Sequence, residues 1–366
     1  MPAEMLNVGP ENRLKSLARR IVAIAARAAW PLIPKSWRLG DGPRSLHLAL
    51  TRKCNANCVF CAYQYAPRSA RIHMPDDIFA SVIEQIARNR IDYVMLSPNI
   101  GEPTIAPHFL EKVRRLRDAG ARTIEMTSNA LYWHKIGIDD LIRSGPDRVN
   151  ISFAGFDKDM YERDFRVHHY EQTKDNILTF IRRNAELGSP VAVQFWLRGD
   201  RAPATLDESP ELRSIADAGV PIQIMTEVDS WLELIKPEDL PEGYVLQDDR
   251  PKLTSRPCNL LNYLTLLPDG DIQLCACRNV FGDPDMHVGH LSGMTLQEAH
   301  ARIPAVLNNW EQGKVPASCR TCSMYSDPAQ GAAAMALRRM REAWPRLSAD
   351  GKKTTPERES RGAPAL

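Results

Sequence analysis

The chain has 366 residues, with 47 Lys+Arg against 45 Asp+Glu and a formal charge of +2. That length suits one large α/β domain with an appendage, or two domains, and it can bury a substantial core. Hydrophobic content of 43% and charged content of 25% are those of an ordinary globular chain. The near-neutral balance argues against a protein that coats nucleic acid, and no run of about 18 apolar residues is present to span a membrane as a helix.

Residues 1–40 read as a helical preface. Asn12 to Trp30 has helical spacing, with Leu14, Leu17, Ile21 and Ile24 on one face and Arg13, Arg19, Arg20 and Arg27 elsewhere. Such a helix packs on the main domain or makes weak contact with an anionic membrane or a partner. The stretch from Arg19 to Ala26 imitates a secretory signal, but Arg27 interrupts it. A reducing, cytoplasmic setting is therefore expected.

From Ser45 short apolar runs alternate with amphipathic helices. Strands are expected at 45–51, 93–97, 123–127, 148–153, 191–197 and 222–226. Helices are expected at 75–88, 108–119, 139–144, 171–187 and 209–218. Alternation at this spacing means right-handed βαβ units and a parallel sheet. Six units over residues 41–240 predict a partial (β/α)6 TIM-like barrel with ligands at the carboxyl ends of its strands. After Pro241 the rhythm breaks. Residues 241–330 read as a small α+β domain, with a hairpin around Pro268-Asp269-Gly270 and a helix at 295–308. Residues 331–366 read as a helical and disordered tail rich in charge, Pro, Gly and Ser.

The eight cysteines fall in two groups, with none between Cys61 and Cys258. Clustered thiols in a reducing compartment point to metal or cluster ligands rather than disulfides. Cys54, Cys58 and Cys61 follow the first strand at x3 and x2 spacing. Three thiols are one short of the four that a cubane cluster or structural zinc normally takes, which leaves a position open for a bound molecule. A zinc knuckle with a distant fourth ligand fits the same spacing; the loop's place at the catalytic end of the sheet counts against it.

CxxxCxxC with Phe60 before the last cysteine, after the first strand of a six-fold βα array, resembles the radical S-adenosylmethionine superfamily. Further motifs resemble that family in order: Ile100-Gly101-Glu102-Pro103 its GGEP, without the first glycine; Met126-Thr127-Ser128-Asn129 its TTNG; and Asn150 to Asp157 the fourth-strand segment with Ser152. The resemblance implies a [4Fe–4S] cluster on Cys54, Cys58 and Cys61, whose fourth iron takes the amino and carboxylate groups of S-adenosylmethionine. It also implies cofactor contacts from Phe60, Gly101, Glu102, Pro103, Asn129 and Ser152, and Arg198, which ends the fifth strand, is a candidate for cofactor or substrate contact. Reductive cleavage of the cofactor would give a 5′-deoxyadenosyl radical able to take hydrogen from an unactivated C–H bond. For Phe60, simple core packing is an equal expectation.

Cys258, Cys275, Cys319 and Cys322 resemble the SPASM or twitch type of extension, which implies one auxiliary [4Fe–4S] cluster; four cysteines also suit zinc. Cys277 is left over, as a bystander thiol, as an alternative to Cys275, or as a catalytic hydrogen-atom donor of the radical-epimerase kind. His168-His169 has no partner pattern for a metal, and Arg166 is expected in a surface ion pair. Glu227 and Asp229, after the sixth strand, are candidates for a substrate-side base. The function expected is oxidation of a small polyol, aminocyclitol or sugar, as in radical aminocyclitol dehydrogenases, with a flavodoxin or ferredoxin as electron donor. Radical epimerisation of a sugar and modification of a peptide are the alternatives. No nucleic-acid partner is expected.

Overall fold

The computed structural model describes residues 42–154, 157–200, 209–247, 256–275 and 278–327. The helix expected at 12–30, the tail from 331, Gly155-Phe156 and Cys277 lie outside the described residues.

Six strands alternate with helices as the sequence rhythm predicts: β1 (Ser45–Leu48), β2 (Tyr93–Met95), β3 (Thr123–Ser128), β4 (Arg148–Ala154), β5 (Ala192–Arg198) and β6 (Ile222–Met225). All neighbouring pairs from β1 to β6 are parallel. The intervening helices are α1 (Asp76–Asn89), α2 (Phe109–Asp118), α3 (Trp133–Ile136), α4 (Ile138–Ser144), α5 (Lys158–Phe165), α6 (Tyr170–Glu186) and α7 (Pro210–Asp217). Together they make the partial barrel.

Local chemistry fixes the boundaries. In α1, Asp76 and Asp77 sit in the first turn, where a negative charge complements the helix dipole, and Arg90 closes the helix at φ 55°. At the end of α6 the Asn184 side chain bonds both the amide and the carbonyl of Val191 (3.1 and 2.9 Å), so the helix end is tied to the entry of β5. The expected helix at 295–308 is instead two, α8 (Leu296–His300) and α9 (Ile303–Glu311), before the short α10 (Ala317–Arg320). Pro304 lacks an N–H, so it is accommodated in the first turn of a new helix rather than inside one. Helix α5 was not foreseen; Asp157 caps it by accepting from the Met160 amide at 2.8 Å.

Past β6, β7 (Glu227–Val228) and β8 (Val245–Leu246) form a separate pair. The expected hairpin appears as β9 (Leu264–Leu266) and β10 (Asp271–Leu274), followed by β11 (His287–His290). It does not stand apart from the barrel sheet. Strand β9 pairs in parallel with β1, giving the order β11-β10-β9-β1-β2-β3-β4-β5-β6. The two cysteine groups therefore grow from adjoining strands.

Alternation sorts the side chains. Leu46, Leu48, Val94, Ile124, Met126, Val149, Ile151, Phe153 and Phe195 belong to one continuous buried core. The alternate positions carry polar groups. Tyr93 Oη and Asn150 Nδ2 donate to the two oxygens of Glu125 at 3.0 Å each, and Gln194 Nε2 donates to Gln223 Oε1 at 3.0 Å. His47 stacks on Tyr263 with centroids 5.1 Å apart, across the β1–β9 seam. Among the described residues no helix is long and apolar enough to cross a membrane.

Candidate active site

The loop after β1 brings Cys54, Cys58 and Cys61 to the wall of a cavity of about 400 Å³ at the carboxyl ends of the strands. Distant backbone holds this loop. Asn57 and Val59 donate their amides to the carbonyls of Phe165 and Asp164, at the end of α5 (3.2 and 2.9 Å). Burial pushes all three thiols up, and the other two thiols push Cys58 further. Arg198 and Arg278 pull Cys61 back by their charge. Thiolates crowded in this wall need a cation to hold them, which is what a bound metal cluster supplies. Among the described residues no group of three or more His, Cys, Asp or Glu side chains closes to the spacing of a single metal ion. The three cysteines border a space rather than a point, and a multi-iron cluster with an open corner fits that arrangement.

The segment after β2 locks onto the thiol loop. Gly101 has φ 107°, and a Cβ there would lie 2.5 Å from the Thr51 carbonyl oxygen. Its neighbour Glu102 donates its amide to the Lys53 carbonyl at 2.9 Å. The Glu102 carboxylate is buried, and burial raises its pKa. Its Oε1 accepts from Thr104 N (3.2 Å), Thr104 Oγ1 (2.6 Å) and Ser128 Oγ (2.7 Å), and its Oε2 from Asn129 N (2.9 Å). Each carboxylate oxygen offers about two acceptor sites; Oε1 is crowded with three donors, whereas Oε2 takes one and has room for a bound ammonium. Glu102 thus serves the fold as well as the cavity that it lines. Pro103 starts the short 3-10 turn Pro103–Ile105 and is not among the cavity-lining residues. Asn129 reaches the thiol loop: its Nδ2 donates to Asn55 Oδ1 at 2.8 Å and lies 3.9 Å from Cys54 Sγ.

Alternate residues of the strands complete the cavity: Met95, Thr127, Ser152, Trp196, Arg198 and Met225. Arg198 Nε donates to Ser152 Oγ at 2.9 Å, and its guanidinium lies 5.0 Å above the Phe60 ring. Among the described residues no carboxylate pairs with it, so the pair Ser152–Arg198 presents a positive, hydrogen-bonding wall suited to a ligand carboxylate. Phe60 has a core-packing role and a face on the cavity. It packs edge-on to Phe165 (5.3 Å) and also lines the cavity.

The second group, Cys258, Cys275, Cys319 and Cys322, converges from three segments. The other three thiols act on Cys319, which burial pushes up first of all. Backbone amides point at the sulfurs: Ser326 N at 3.3 Å from Cys258 Sγ and Met324 N at 3.3 Å from Cys322 Sγ. Cys275 takes φ 66°, an unusual conformation for a residue with a Cβ. None of these four cysteines lines the cavity.

Other candidates fall elsewhere. His168 is exposed beside Glu162, and Arg166 donates to Gln64 Oε1 at 3.0 Å on the surface, with no ion pair among the described residues. Glu227 and Asp229 do line the cavity. Sequence reasoning missed Asn99, Trp196, Trp231 and Arg278 on its wall. Strand parity could have found Trp196, two residues before Arg198; the others lie in irregular segments with no periodic signal. Asn99 Oδ1 accepts from the Ile100 amide at 2.7 Å, and among the described residues its buried Nδ2 has no partner, nor has Trp196 Nε1.

Residues 48–192 match the model of the Radical SAM superfamily. A probable GTP 3′,8-cyclase of Thermoplasma volcanium is 28% identical over 200 residues, 54% of this chain and 55% of that one. That of Sulfurisphaera tokodaii is 30% identical over 127 residues, 34% of this chain and 39% of that one. The match thus spans about half or less of these relatives' length. The corresponding protein of Saccharolobus islandicus is 25% identical over 294 residues, 72% of this chain and 94% of that one. Among solved structures, BtrN in complex with AdoMet and 2-DOIA is 10% identical with a TM-score of 0.49, covering 74% of this chain and 88% of that one. SuiB of Streptococcus suis is 14% identical with a TM-score of 0.48, covering 87% and 78%. Residues 48–192, which carry the thiol loop and strands β2 to β4, are thus the segment that is similar to the Radical SAM superfamily.

Proposed function

We propose that this enzyme oxidises a C–H bond of a small hydroxyl-bearing molecule, a polyol, aminocyclitol or sugar. The observation that carries the reading is the contrast between the thiol groups: three cysteines line the cavity, while the four of the second group lie near one another and none of them lines it. With a [4Fe–4S] cluster on Cys54, Cys58 and Cys61, cleavage of S-adenosylmethionine supplies the hydrogen-abstracting radical. Around it the chain's own residues bind and orient. The free acceptor site of Glu102 suits the cofactor's ammonium, and Ser152 with Arg198 suits its carboxylate. Gly101 lets the segment after β2 approach the thiol loop, and Asn129 braces that loop from β3. Phe60 and Trp196 give apolar walls.

Dehydrogenation removes two hydrogens from the substrate: one goes to the deoxyadenosyl group, and the other leaves as a proton and an electron. Cys258, Cys275, Cys319 and Cys322 would hold a second [4Fe–4S] cluster with a thiolate on every iron, which would supply an electron acceptor rather than a substrate-binding position. A flavodoxin- or ferredoxin-like donor would supply the electron for cofactor cleavage. The domain reading that goes with this assignment is a barrel over 41–240 with a cluster-bearing segment over 241–330.

The test is anaerobic reconstitution with a panel of polyols, aminocyclitols, sugars and GTP, with mass spectrometry of 5′-deoxyadenosine and product. Ketone formation at two mass units below a polyol supports the reading; turnover of GTP alone replaces it with the chemistry named for the relatives. Cys277 is the residue to test for epimerisation. Solvent deuterium in the product of the wild type, lost together with product in Cys277→Ala, would assign that outcome.

A further inference from the structure

Three consecutive residues with side chains, Trp231, Leu232 and Glu233, have φ of 49°, 62° and 65°. A left-handed turn of L-residues is disfavoured because each Cβ crowds a carbonyl oxygen, and it persists only where its surroundings over-determine it. Those surroundings are visible. Trp231 N donates to Asp229 Oδ1 at 2.8 Å, Glu233 N to Ser230 Oγ at 3.2 Å, and Ile235 N to the Ser230 carbonyl at 2.9 Å.

The turn places Trp231 between the two thiol groups. Its Nε1 donates to the carbonyl of Phe60, the residue before Cys61, at 3.0 Å. The Arg278 guanidinium lies 4.0 Å above its ring. Arg278 Nε donates to Asp229 Oδ1 at 2.6 Å, and Ser323 Oγ donates to Asp229 Oδ2. Arg278 stands three residues past Cys275, and Ser323 directly follows Cys322. One carboxylate therefore holds two of the three segments of the second thiol group, and the residue two further on holds the first thiol loop. Both oxygens of Asp229 are engaged in that task, which makes it a poor substrate-side base.

We propose that the Asp229–Trp231 turn is a positioning brace that fixes the first thiol loop against the second thiol group and sets the cavity wall facing the substrate. The strained backbone is the means: it aims the Trp231 indole across the gap while its own amide bonds Asp229. The Arg278–Trp231 stack offers a flat wall with a guanidinium edge, matched to a ring bearing hydroxyl groups. This rests on the reading that both thiol groups hold clusters, but its mechanical part does not depend on turnover.

The test uses the reconstituted enzyme with Asp229→Asn and Trp231→Phe, the latter keeping a ring without the Nε1 donor. Two quantities are read: amide hydrogen exchange at Val59, Cys61 and Gln64, and 5′-deoxyadenosine formed per product. In Asp229→Asn, exchange in the thiol loop should rise about tenfold, as local opening becomes easier. Deoxyadenosine per product should rise about fivefold, as the substrate is presented less accurately. Trp231→Phe should raise exchange in the thiol loop and leave the Ser323 side undisturbed. Wild-type exchange and wild-type stoichiometry in both variants would overturn the brace. If Asp229→Asn fails to retain iron, unchanged exchange in Trp231→Phe overturns it alone. Absence of iron and sulfide from the wild type would instead strike the functional reading, because the exchange comparison needs no activity.

Discussion

The two thiol groups are built in opposite ways. The first lies within one loop, from Cys54 to Cys61, and depends on distant backbone for its shape: the end of α5, the close approach of Gly101, and Trp231. The second collects its thiols from three segments, and the fold itself brings them together through the β9–β10 hairpin and the turn after α10. An open site can be short in sequence, but it then needs propping from outside. A closed site is spread along the chain and closes on itself.

The sharpest separation of the two comes from deleting each in turn. Replacing Cys54, Cys58 and Cys61 by Ala should abolish 5′-deoxyadenosine formation and leave about half the iron, four of about eight atoms in two cubanes. Replacing Cys319 and Cys322 by Ala should remove the other half and lose product while deoxyadenosine still forms. Iron and sulfide assays with chromatography of deoxyadenosine distinguish these outcomes; identical losses from both variants would mean a single shared centre.

Propping from outside is broken most directly at Gly101. In Gly101→Ala the new Cβ would lie 2.5 Å from the Thr51 carbonyl oxygen and force φ away from 107°. A displacement of the thiol loop by an ångström should lower turnover about 10²-fold, with iron lost from the first group only. Glu102→Gln comes next. It sets an amide NH₂ against one of the donors now on the carboxylate, and should cost about 1.5–3 kcal/mol in urea unfolding while also weakening cofactor binding. Unchanged stability and affinity together would remove Glu102 from both roles.

The smallest effect concerns the seam between the strands that carry the two groups. Burial lowers the pKa of His47 on β1 to about 4 from an ordinary 6.5. Between those values the unfolded chain binds a proton that the folded chain does not, so stability falls as pH drops from about 6.5 towards 4. The loss is at most about 3 kcal/mol and smaller after solvent screening. His47→Phe should flatten that part of the stability–pH curve, and an unaltered slope would show that other groups set it.

Much of this was legible in the sequence, for physical reasons that also mark where legibility stops. Strand–helix alternation exposed β1 to β6, because parallel strands need apolar runs and crossover helices. The thiol loop was legible because its ligands are local. The joining of β9 to β1 was not, since strand pairing across more than two hundred residues leaves no local pattern. Helix α5 was missed although it anchors the thiol loop, because its short run holds few apolar positions. Trp231 and Arg278 were missed because a left-handed turn has no periodicity, and their partners Phe60, Asp229 and Ser323 meet only in the folded chain.

The central claim is that one thiol group is open to S-adenosylmethionine and the other closed. Electron paramagnetic resonance of the reduced, reconstituted enzyme, recorded with and without S-adenosylmethionine, tests it most directly. Two [4Fe–4S] signals are expected, of which the cofactor alters only one, the one absent from the Cys54/Cys58/Cys61→Ala variant. Zinc without sulfide, or a cofactor-sensitive signal that survives in that variant, would contradict the account.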